Sequence, residues 1–176
     1  NALDLKYENF FQKMRNKEQI SFEKEDIDYI YWLSGSLAGS IQASQGDPQY
    51  LIDLPNIKWL LENAIKIDPD WQKGTLSAAM MSVYLNDLSG DKNAQKTALS
   101  YFYLAEKQSN GLNASIYVTL AENYAVSKQD KELFIELLDK AINIDINKDK
   151  SFKQSNKLSQ SRAKWLKSRV DDLFYM

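Results

Sequence analysis

One stretch of this sequence occurs twice. Residues 60–69 are L-L-E-N-A-I-K-I-D-P, and residues 137–146 are L-L-D-K-A-I-N-I-D-I. Self-similarity at a spacing of tens of residues is typical of chains that stack one supersecondary unit on the next. The two copies therefore predict stacked helical hairpins rather than a single irregular bundle.

The ending A-I-x-I-D-P is how the second helix of a tetratricopeptide (TPR) unit commonly closes. Two further TPR patterns are met in part, the first-helix pattern at Tyr117, Leu120, Ala121 and Tyr124 and the second-helix pattern at Ala98, Phe102 and Ala105. Other positions depart from the consensus, so we interpret the repeats as degenerate. Solenoids of this kind present a concave binding surface.

The chain has only 6 Gly and 3 Pro among 176 residues, which leaves little material for hairpin turns. We therefore predict an all-α fold in one TPR-like domain over residues 1–176. It begins with a capping segment over 1–25, within which a helix covers 4–18, and ends with a last helix over 151–175. Helical hairpins fill 26–145, with the pairs 26–45 and 55–67, 71–88 and 92–109, and 113–127 and 130–145.

The sequence contains neither cysteine nor histidine. A disulfide, a thiolate metal site and an imidazole metal site are therefore excluded. Acid–base catalysis would need carboxylates of raised pKa or lysines, and no two such groups converge in an apolar setting. No Gly-rich phosphate loop is present. We predict a protein that is not an enzyme and that binds no metal or cofactor.

No apolar run approaches the roughly 20 residues of a membrane-spanning helix. Asn1 and Ala2 resemble the remnant of an expression tag. We therefore expect the natural amino terminus, with any export signal or lipid-bearing cysteine, to lie outside this sequence.

The formal charge of −2 is unevenly distributed along the chain. Residues 148–176 carry a net charge of +5, and residues 1–147 carry −7. A basic carboxyl-terminal helix can meet an acidic partner, a phosphate or an anionic lipid, or it can simply present a solvated outer face. Bulk composition gives no reason to expect a nucleic-acid partner.

Two glycines four residues apart interrupt the predicted helix 26–45, at Gly35 and Gly39. Glycine inside a helix costs up to about 1 kcal/mol relative to alanine, so a reason is needed. One interpretation is the close approach of a neighbouring helix, and the other is room for a ligand or a pore.

Aromatic residues are frequent, and the first helix of each TPR pair lines the concave face. The candidate ligand- or partner-binding residues are Tyr29, Trp32, Gly35, Gly39, Tyr84, Tyr117, Asn123, Tyr124, Trp165 and Arg169. As a group they would wall an apolar pocket with a few polar groups. The alternative for each of them is packing between helices.

Several segments together resemble the TatT family, the T component associated with tripartite ATP-independent periplasmic (TRAP) transporters. The segments that carry this resemblance are residues 31–33, 35–39, 53–55, 60–64, 67–70, 117–122, 129–134, 162–166 and 169–174. The resemblance covers roughly residues 26–175, and its most specific parts are A-x-W-L at 163–166 and R-x-D-D-L-F at 169–174.

The resemblance implies a non-enzymatic periplasmic protein tethered to a membrane by an amino-terminal lipid. It also implies a homotrimer that docks the solute-binding protein of the transporter and has a channel for a hydrophobic or organic-acid ligand. The alternative is a generic TPR adaptor for a peptide or protein partner. A channel needs contiguous apolar surface between helices at Gly35 and Gly39, whereas a peptide adaptor needs an open groove with charged or asparagine clamps.

Overall fold

The computed structural model describes residues 2–44, 47–87 and 90–174 of the chain. In these residues every regular element is helical, so the all-α prediction is confirmed. The predicted outer limits of the domain, at residues 1 and 175–176, lie outside the described residues. The α-helices are α1 (Ala2–Lys6), α2 (Phe10–Asn16), α3 (Ile27–Ala43), α4 (Pro48–Leu51), α5 (Leu54–Ile67), α6 (Thr75–Leu85), α7 (Ala94–Gln108), α8 (Ala114–Leu120), α9 (Lys131–Asn143), α10 (Lys153–Lys167) and α11 (Val170–Leu173).

The chain divides into two compact units, Asn1–Val83 and Tyr84–Met176. The division falls near the end of α6, so the first unit holds α1 to α5 with most of α6, and the second holds α7 to α11. The prediction of one TPR-like domain, with TPR-like stacking of its hairpins, stays a prediction. So does the pairing of 71–88 with 92–109.

In the first unit, α3 packs along α5, as predicted for the first helical pair. The contact buries Ile27 and Ile30 of α3 together with Ile57 and Leu60 of α5. Burial of aliphatic side chains of this size contributes about 1.5–3 kcal/mol each. The inner side of α3 is therefore held by apolar contacts.

The repeated stretch plays the same structural part in both units. In each copy, two leucines and one alanine face inward and are almost fully buried, namely Leu60, Leu61 and Ala64 in α5 and Leu137, Leu138 and Ala141 in α9. The residues sit at positions i, i+1 and i+4, which share one side of a helix. The repetition in sequence therefore encodes a repeated core face.

The predicted amino-terminal helix over 4–18 is two short helices, because the chain turns between α1 and α2 with Asn9 in the left-handed region at φ 56°. A buried carboxylate fastens this segment to the start of α3. Asp26 accepts hydrogen bonds from Lys6 Nζ at 2.8 Å, from the Tyr7 hydroxyl at 2.5 Å and from the Glu23 backbone N–H at 2.8 Å. Burial by itself raises the pKa of Asp26, but these hydrogen bonds outweigh it and hold the pKa below its usual range.

In the second unit, α8, α9 and α10 pack on one another, which confirms that the predicted helices 113–127 and 130–145 form a contacting pair. The first of them continues from α8 into one π-helical stretch over Ala121–Ala125. Their shared core contains Ile116, Leu120 and Phe134, all buried.

The predicted last helix over 151–175 is α10 followed by the short α11, with a break at Ser168 and Arg169. Two polar side chains fasten α10. The buried Asn156 donates to the Leu112 carbonyl at 2.7 Å and accepts from the Ala114 N–H at 2.8 Å. The Gln160 amide donates to three carbonyls at the end of α9, those of Ala141, Ile142 and Ile144. Two of the last carbonyls of α9, those of Ala141 and Ile142, which lack partners inside the helix, thereby gain a donor.

Candidate functional site

The candidate residues identified from sequence do not gather in one place within either unit. Tyr29, Trp32, Gly35 and Gly39 share the outer side of α3 in the first unit. In the second unit, Tyr117 borders a cavity, and Trp165 and Arg169 lie at the outer side of α10 and just beyond it. That these residues line one common apolar pocket therefore stays a prediction.

The outer side of α3 is exposed along its length. The Tyr29 side chain is 52% exposed and the Trp32 side chain is 69% exposed. A Cβ atom built on Gly35 or on Gly39 would meet no atom within 4 Å. We call this surface the α3 face, and its residues are Tyr29, Trp32, Gly35, Ser36, Gly39 and Ser40.

The expected neighbouring helix at the two glycines is therefore absent from the described part of this chain. The glycines cost helix stability, up to about 1 kcal/mol each, and no side chain among the described residues packs into the space beside them to offset it. No described residue encloses Gly35 and Gly39, so the channel expected at this position stays a prediction.

The serines of the α3 face bond back onto their own helix. Ser36 Oγ donates to the Trp32 carbonyl at 3.0 Å, and Ser40 Oγ donates to the Ser36 carbonyl at 3.1 Å. Their hydroxyl donors are thus used locally, and little side chain stands above the backbone. The result is a shallow surface with two aromatic rings and the exposed carboxylate of Asp28 at its amino-terminal end.

Trp32 is supported by a row of aromatic rings. Its ring lies 5.5 Å from that of Tyr31, which lies 5.2 Å from that of Trp71. Tyr31 is partly buried, and this burial raises the pKa of its hydroxyl. Because Trp32 rests on fixed neighbours, a partner that covers it has less side-chain motion to restrict.

A cavity of about 590 Å³ opens on the surface of the second unit. It is bordered by Glu106, Gly111, Tyr117, Glu136, Asp139, Lys140, Asn143 and Ile144. This volume lies in the range of small-molecule sites, which is about 300–1,000 Å³, but the cavity is shallow and largely open to solvent. Among the residues proposed from sequence, only Tyr117 belongs to this border.

Tyr117 and Glu106 form the inner wall of the cavity. The Tyr117 hydroxyl donates to Glu106 Oε1 at 2.9 Å. Burial, reinforced by the Glu106 carboxylate, raises the pKa of Tyr117 well above its ordinary value. Gly111 is in the left-handed region at φ 70°, and a Cβ there would lie 3.3 Å from the Tyr117 hydroxyl, so a larger residue would crowd this pair.

The charges around the cavity are largely paired. Glu136 forms an ion pair with Lys140 at 3.1 Å, and Asp139 forms one with Lys167 at 2.5 Å. Glu106 forms no ion pair within the described residues, so its negative charge is the one left without a cation at this border. An anionic ligand would therefore meet a carboxylate on the inner wall.

The outer side of α10 combines cations with bulky apolar groups. Two guanidinium groups lie near the Trp165 ring, with Arg162 Cζ at 4.3 Å and Arg169 Cζ at 5.5 Å from its centroid. Arg162 is paired with Glu122, and Arg169 is paired with Asp172. Arg169, which was proposed from sequence as a binding residue, thus belongs to a local cluster with Trp165 and Asp172 at the end of α10.

The other three residues proposed from sequence have local partners. The Tyr84 ring stacks on that of Tyr101 at 5.9 Å. The Asn123 amide donates to the Thr119 carbonyl at 2.9 Å on its own helix. Lys128 Nζ lies 5.8 Å from the centroid of the Tyr124 ring. Local packing accounts for these contacts, so we leave these residues out of the proposals below.

Sequence reasoning missed Glu106 of the cavity and Lys157, Leu158 and Lys164 on α10. The spacing of Leu158 and Trp165, seven residues apart, was the available signal for α10, but a leucine in a helix is ordinarily assigned to the core. No signal in sequence distinguished Glu106 from other helical glutamates.

No helix among the described residues is long and apolar enough to cross a membrane. The same residues contain no group of three or more carboxylates placed to hold a metal ion. The described residues thus form an all-helical structure whose distinctive surfaces include two exposed helix faces and an open cavity.

Residues 1–174 match the family model of the TRAP transporter T-component, TAtT. The chain therefore belongs to this family, a periplasmic component of TRAP transport systems that is not known as an enzyme. It is also similar to an uncharacterized protein of Treponema pallidum (strain Nichols), with 22% identity over 149 residues. That match covers 85% of this chain and 46% of the relative, so the chain spans about half the length of the curated relative.

Proposed function

We propose that this chain docks the solute-binding protein of its TRAP transport system through the α3 face. The observation that carries the proposal is an exposed helix surface that holds Trp32, 69% exposed, beside two glycines with open space around them. Family membership supports an association with a TRAP transport system, and the composition of the α3 face suits a protein partner.

The exposed aromatic residues of the α3 face are of the types that are common in protein interfaces. Tryptophan and tyrosine are enriched among the residues that carry most of the energy of protein interfaces. Trp32 and Tyr29 are both exposed here, at one end of the face. The glycines beside them admit a partner backbone at close range because no side chain stands between.

Two further parts of the proposal are supported by the family resemblance. They are an amino-terminal lipid that tethers the protein to a membrane and a homotrimeric assembly. Native mass spectrometry of the chain mixed with the solute-binding protein tests the assembly directly. A trimer that takes up the partner supports it, and a monomer in the presence of bound partner removes the trimer from the proposal.

The proposal also includes a bound ligand, for which the cavity of the second unit is the candidate site. Of the two ligand classes predicted, an organic acid suits this cavity poorly, since the carboxylate of Glu106 on its wall has no cationic partner. A hydrophobic or cationic group would meet the Tyr117 ring and Ile144 without opposing that charge.

The generic TPR adaptor would use the same exposed surface for a different partner. The six residues of the α3 face include no asparagine, but the exposed carboxylate of Asp28 lies one turn before Trp32 on the same side of α3, so the composition of this surface suits either partner. The two functions are separated by the partner that binds, so a peptide library and the solute-binding protein are tested side by side.

The test is isothermal titration calorimetry of the chain against the solute-binding protein of its own transporter. We expect Trp32→Ala to weaken binding at least thirtyfold, as for a central interface residue. Trp165→Ala is the matched control, because it also removes an exposed tryptophan but from the second unit. Equal affinities for the parent and Trp32→Ala would remove the α3 face from the proposal, and no binding by the parent would overturn the docking function.

A further inference from the structure

We propose that the outer side of α10 is a docking surface for an anionic lipid bilayer. We call this surface the α10 face, and its residues are Lys157, Leu158, Lys164 and Trp165. The proposal stands apart from partner docking, since it concerns the second unit and the α3 face belongs to the first.

The apolar component of the α10 face is two bulky side chains on an otherwise polar helix. Leu158 is 75% exposed and Trp165 is 48% exposed. They are seven residues apart, so they project from the same side of α10 about 10 Å apart along the axis. The remaining exposed positions of this helix are polar or charged, so this pair is its concentration of exposed apolar surface.

The charged component of the α10 face is two lysines beside the apolar pair Leu158 and Trp165. Helix α10 contains five Lys or Arg residues and no Asp or Glu in the sequence KQSNKLSQSRAKWLK. Arg162 and Lys167 are ion-paired with Glu122 and Asp139, respectively. Within the described residues Lys157 and Lys164 have no ion-pair partner, and their spacing of seven residues places both on one side of Leu158 and Trp165.

The acidic groups nearest this surface are already neutralised. Glu122 is paired with Arg162, and Asp172 beyond the end of α10 is paired with Arg169. The charge that the α10 face presents to a partner is therefore that of Lys157 and Lys164. Such a surface is complementary to a sheet of negative headgroups.

A bilayer suits this combination better than a folded acidic protein. Interfacial helices join leucine and tryptophan, which enter the boundary between headgroups and acyl chains, to lysines that contact the phosphates. Lysine, by contrast, is depleted at protein interfaces. Tryptophan in particular concentrates at the headgroup level of membranes. The inner side of α10 stays packed in the second unit through Asn156, Ala163 and Leu166, so only the outer side would meet the lipid.

The test is co-sedimentation of the unlipidated chain, residues 1–176, with large vesicles. One set contains phosphatidylcholine alone, and the other is an equimolar mixture of phosphatidylcholine and phosphatidylglycerol. We expect binding to the mixed vesicles that weakens as salt is raised, because surface charges are screened. Each lysine near an anionic surface contributes about fivefold in affinity, so Lys157→Gln/Lys164→Gln should weaken binding about 25-fold.

The matched control is Lys92→Gln/Lys96→Gln, which removes the same charge from exposed positions at the start of α7 and should leave vesicle binding unchanged. Trp165→Phe should keep binding but lose the blue shift of tryptophan emission that the mixed vesicles cause. Circular dichroism confirms that each variant remains helical.

Equal binding to both vesicle types, no binding to either, or equal losses in the two double variants would overturn the proposal. Capture of an acidic protein by the α10 face without vesicle binding would do the same and would assign the surface to that class of partner. None of these vesicle results changes the conclusion about the solute-binding protein, because the Trp32→Ala titration measures that binding independently.

Discussion

The α3 face and the α10 face are both exposed sides of helices, yet they differ in charge and in texture. The α3 face is shallow, with Gly35 and Gly39 beside the Trp32 ring and the exposed carboxylate of Asp28 at its amino-terminal end. The α10 face is basic and raised, with Leu158 and Trp165 beside Lys157 and Lys164, which have no ion-pair partner in the described part of the chain. Exposure of a helix side therefore does not by itself define its partner. The α3 face suits the close approach of a partner backbone, whereas the α10 face suits a surface of opposite charge.

The two helices are also anchored by different forces. On its inner side α3 buries Ile27 and Ile30 against α5. In α10, whose sequence is rich in lysine, glutamine and serine, the hydrogen bonds of Asn156 and Gln160 supplement the burial of Ala163 and Leu166. A helix with few apolar residues has less area to bury, so polar contacts must carry a larger share of its attachment.

The largest expected effect comes from the apolar anchor of α3. Ile30 is fully buried, so Ile30→Ala should lower the free energy of unfolding by about 4 kcal/mol, within the range of 2–5 for such truncations. Urea denaturation followed by circular dichroism measures the change. Ile52→Ala is the control, because Ile52 is 74% exposed and should change stability little. A loss below 1 kcal/mol for Ile30→Ala would contradict apolar anchoring.

The next effect concerns the hydrogen-bonded anchor of α10. Asn156→Ala removes the partners of two backbone groups, the Leu112 carbonyl and the Ala114 N–H, and should cost about 3 kcal/mol. The same denaturation experiment measures it, with the exposed Gln154→Ala as control. Equal stability of Asn156→Ala and Gln154→Ala would show that the hydrogen bonds of Asn156 do not anchor α10.

A pH-dependent effect is expected at the start of α3. The hydrogen bonds to Asp26 lower its folded pKa below the unfolded value of about 3.9, so its ionised form contributes stability above that pH and loses it as the pH falls through the folded pKa. Asp26→Asn should therefore cost about 2 kcal/mol at neutral pH. That cost should shrink once the pH falls well below the unfolded value of about 3.9.

Thermal unfolding of the parent and Asp26→Asn across this pH range gives the measurement. Asp28→Asn serves as the control, because it makes the same change of charge at an exposed position of α3. A difference between the parent and Asp26→Asn that stays constant from neutral to acidic pH would show that the carboxylate charge is not what fastens the segment.

The smallest expected effect is an increase in stability rather than a loss. Because Gly35 and Gly39 are exposed in a helix, Gly35→Ala and Gly39→Ala should each stabilise the isolated chain by up to about 1 kcal/mol. The added methyl groups should nevertheless weaken binding of the solute-binding protein, since they stand where its backbone approaches. Thermal unfolding and calorimetry measure the two effects on the same variant.

Ser100→Ala, at an exposed position of α7, is the control for the glycine variants: it favours helix without touching the α3 face. Stabilised glycine variants that bind as tightly as the parent would show that the glycines are not part of the docking surface.

Helical periodicity predicted most of the helices to within a few residues. The repeated stretch in particular predicted its buried face, because positions i, i+1 and i+4 lie on one side of any helix whatever packs against it. The breaks at Asn9 and at Ser168 were not predicted. Asn9 adopts a left-handed conformation, and no glycine or proline marks either break.

The candidate site was predicted less well than the fold. Glycine in a helix was correctly identified as unusual, but sequence cannot tell whether the space it leaves is filled, and in this chain it is open. Tyr117 was proposed for its place in a TPR pattern, whereas its contact with Glu106 depends on how the turn at Gly111 brings α7 and α8 together.

By itself the sequence determined the helical class, the inward faces of the repeated segments, the family and the basic carboxyl-terminal charge. These follow from residue type and local spacing, which act within one or two helical turns. Only the tertiary structure decided which aromatic rings stay exposed, which carboxylate lines the cavity and which lysines remain unpaired. Those properties depend on contacts between residues far apart in the chain, as in the pairing of Arg162 with Glu122, and no local pattern specifies them.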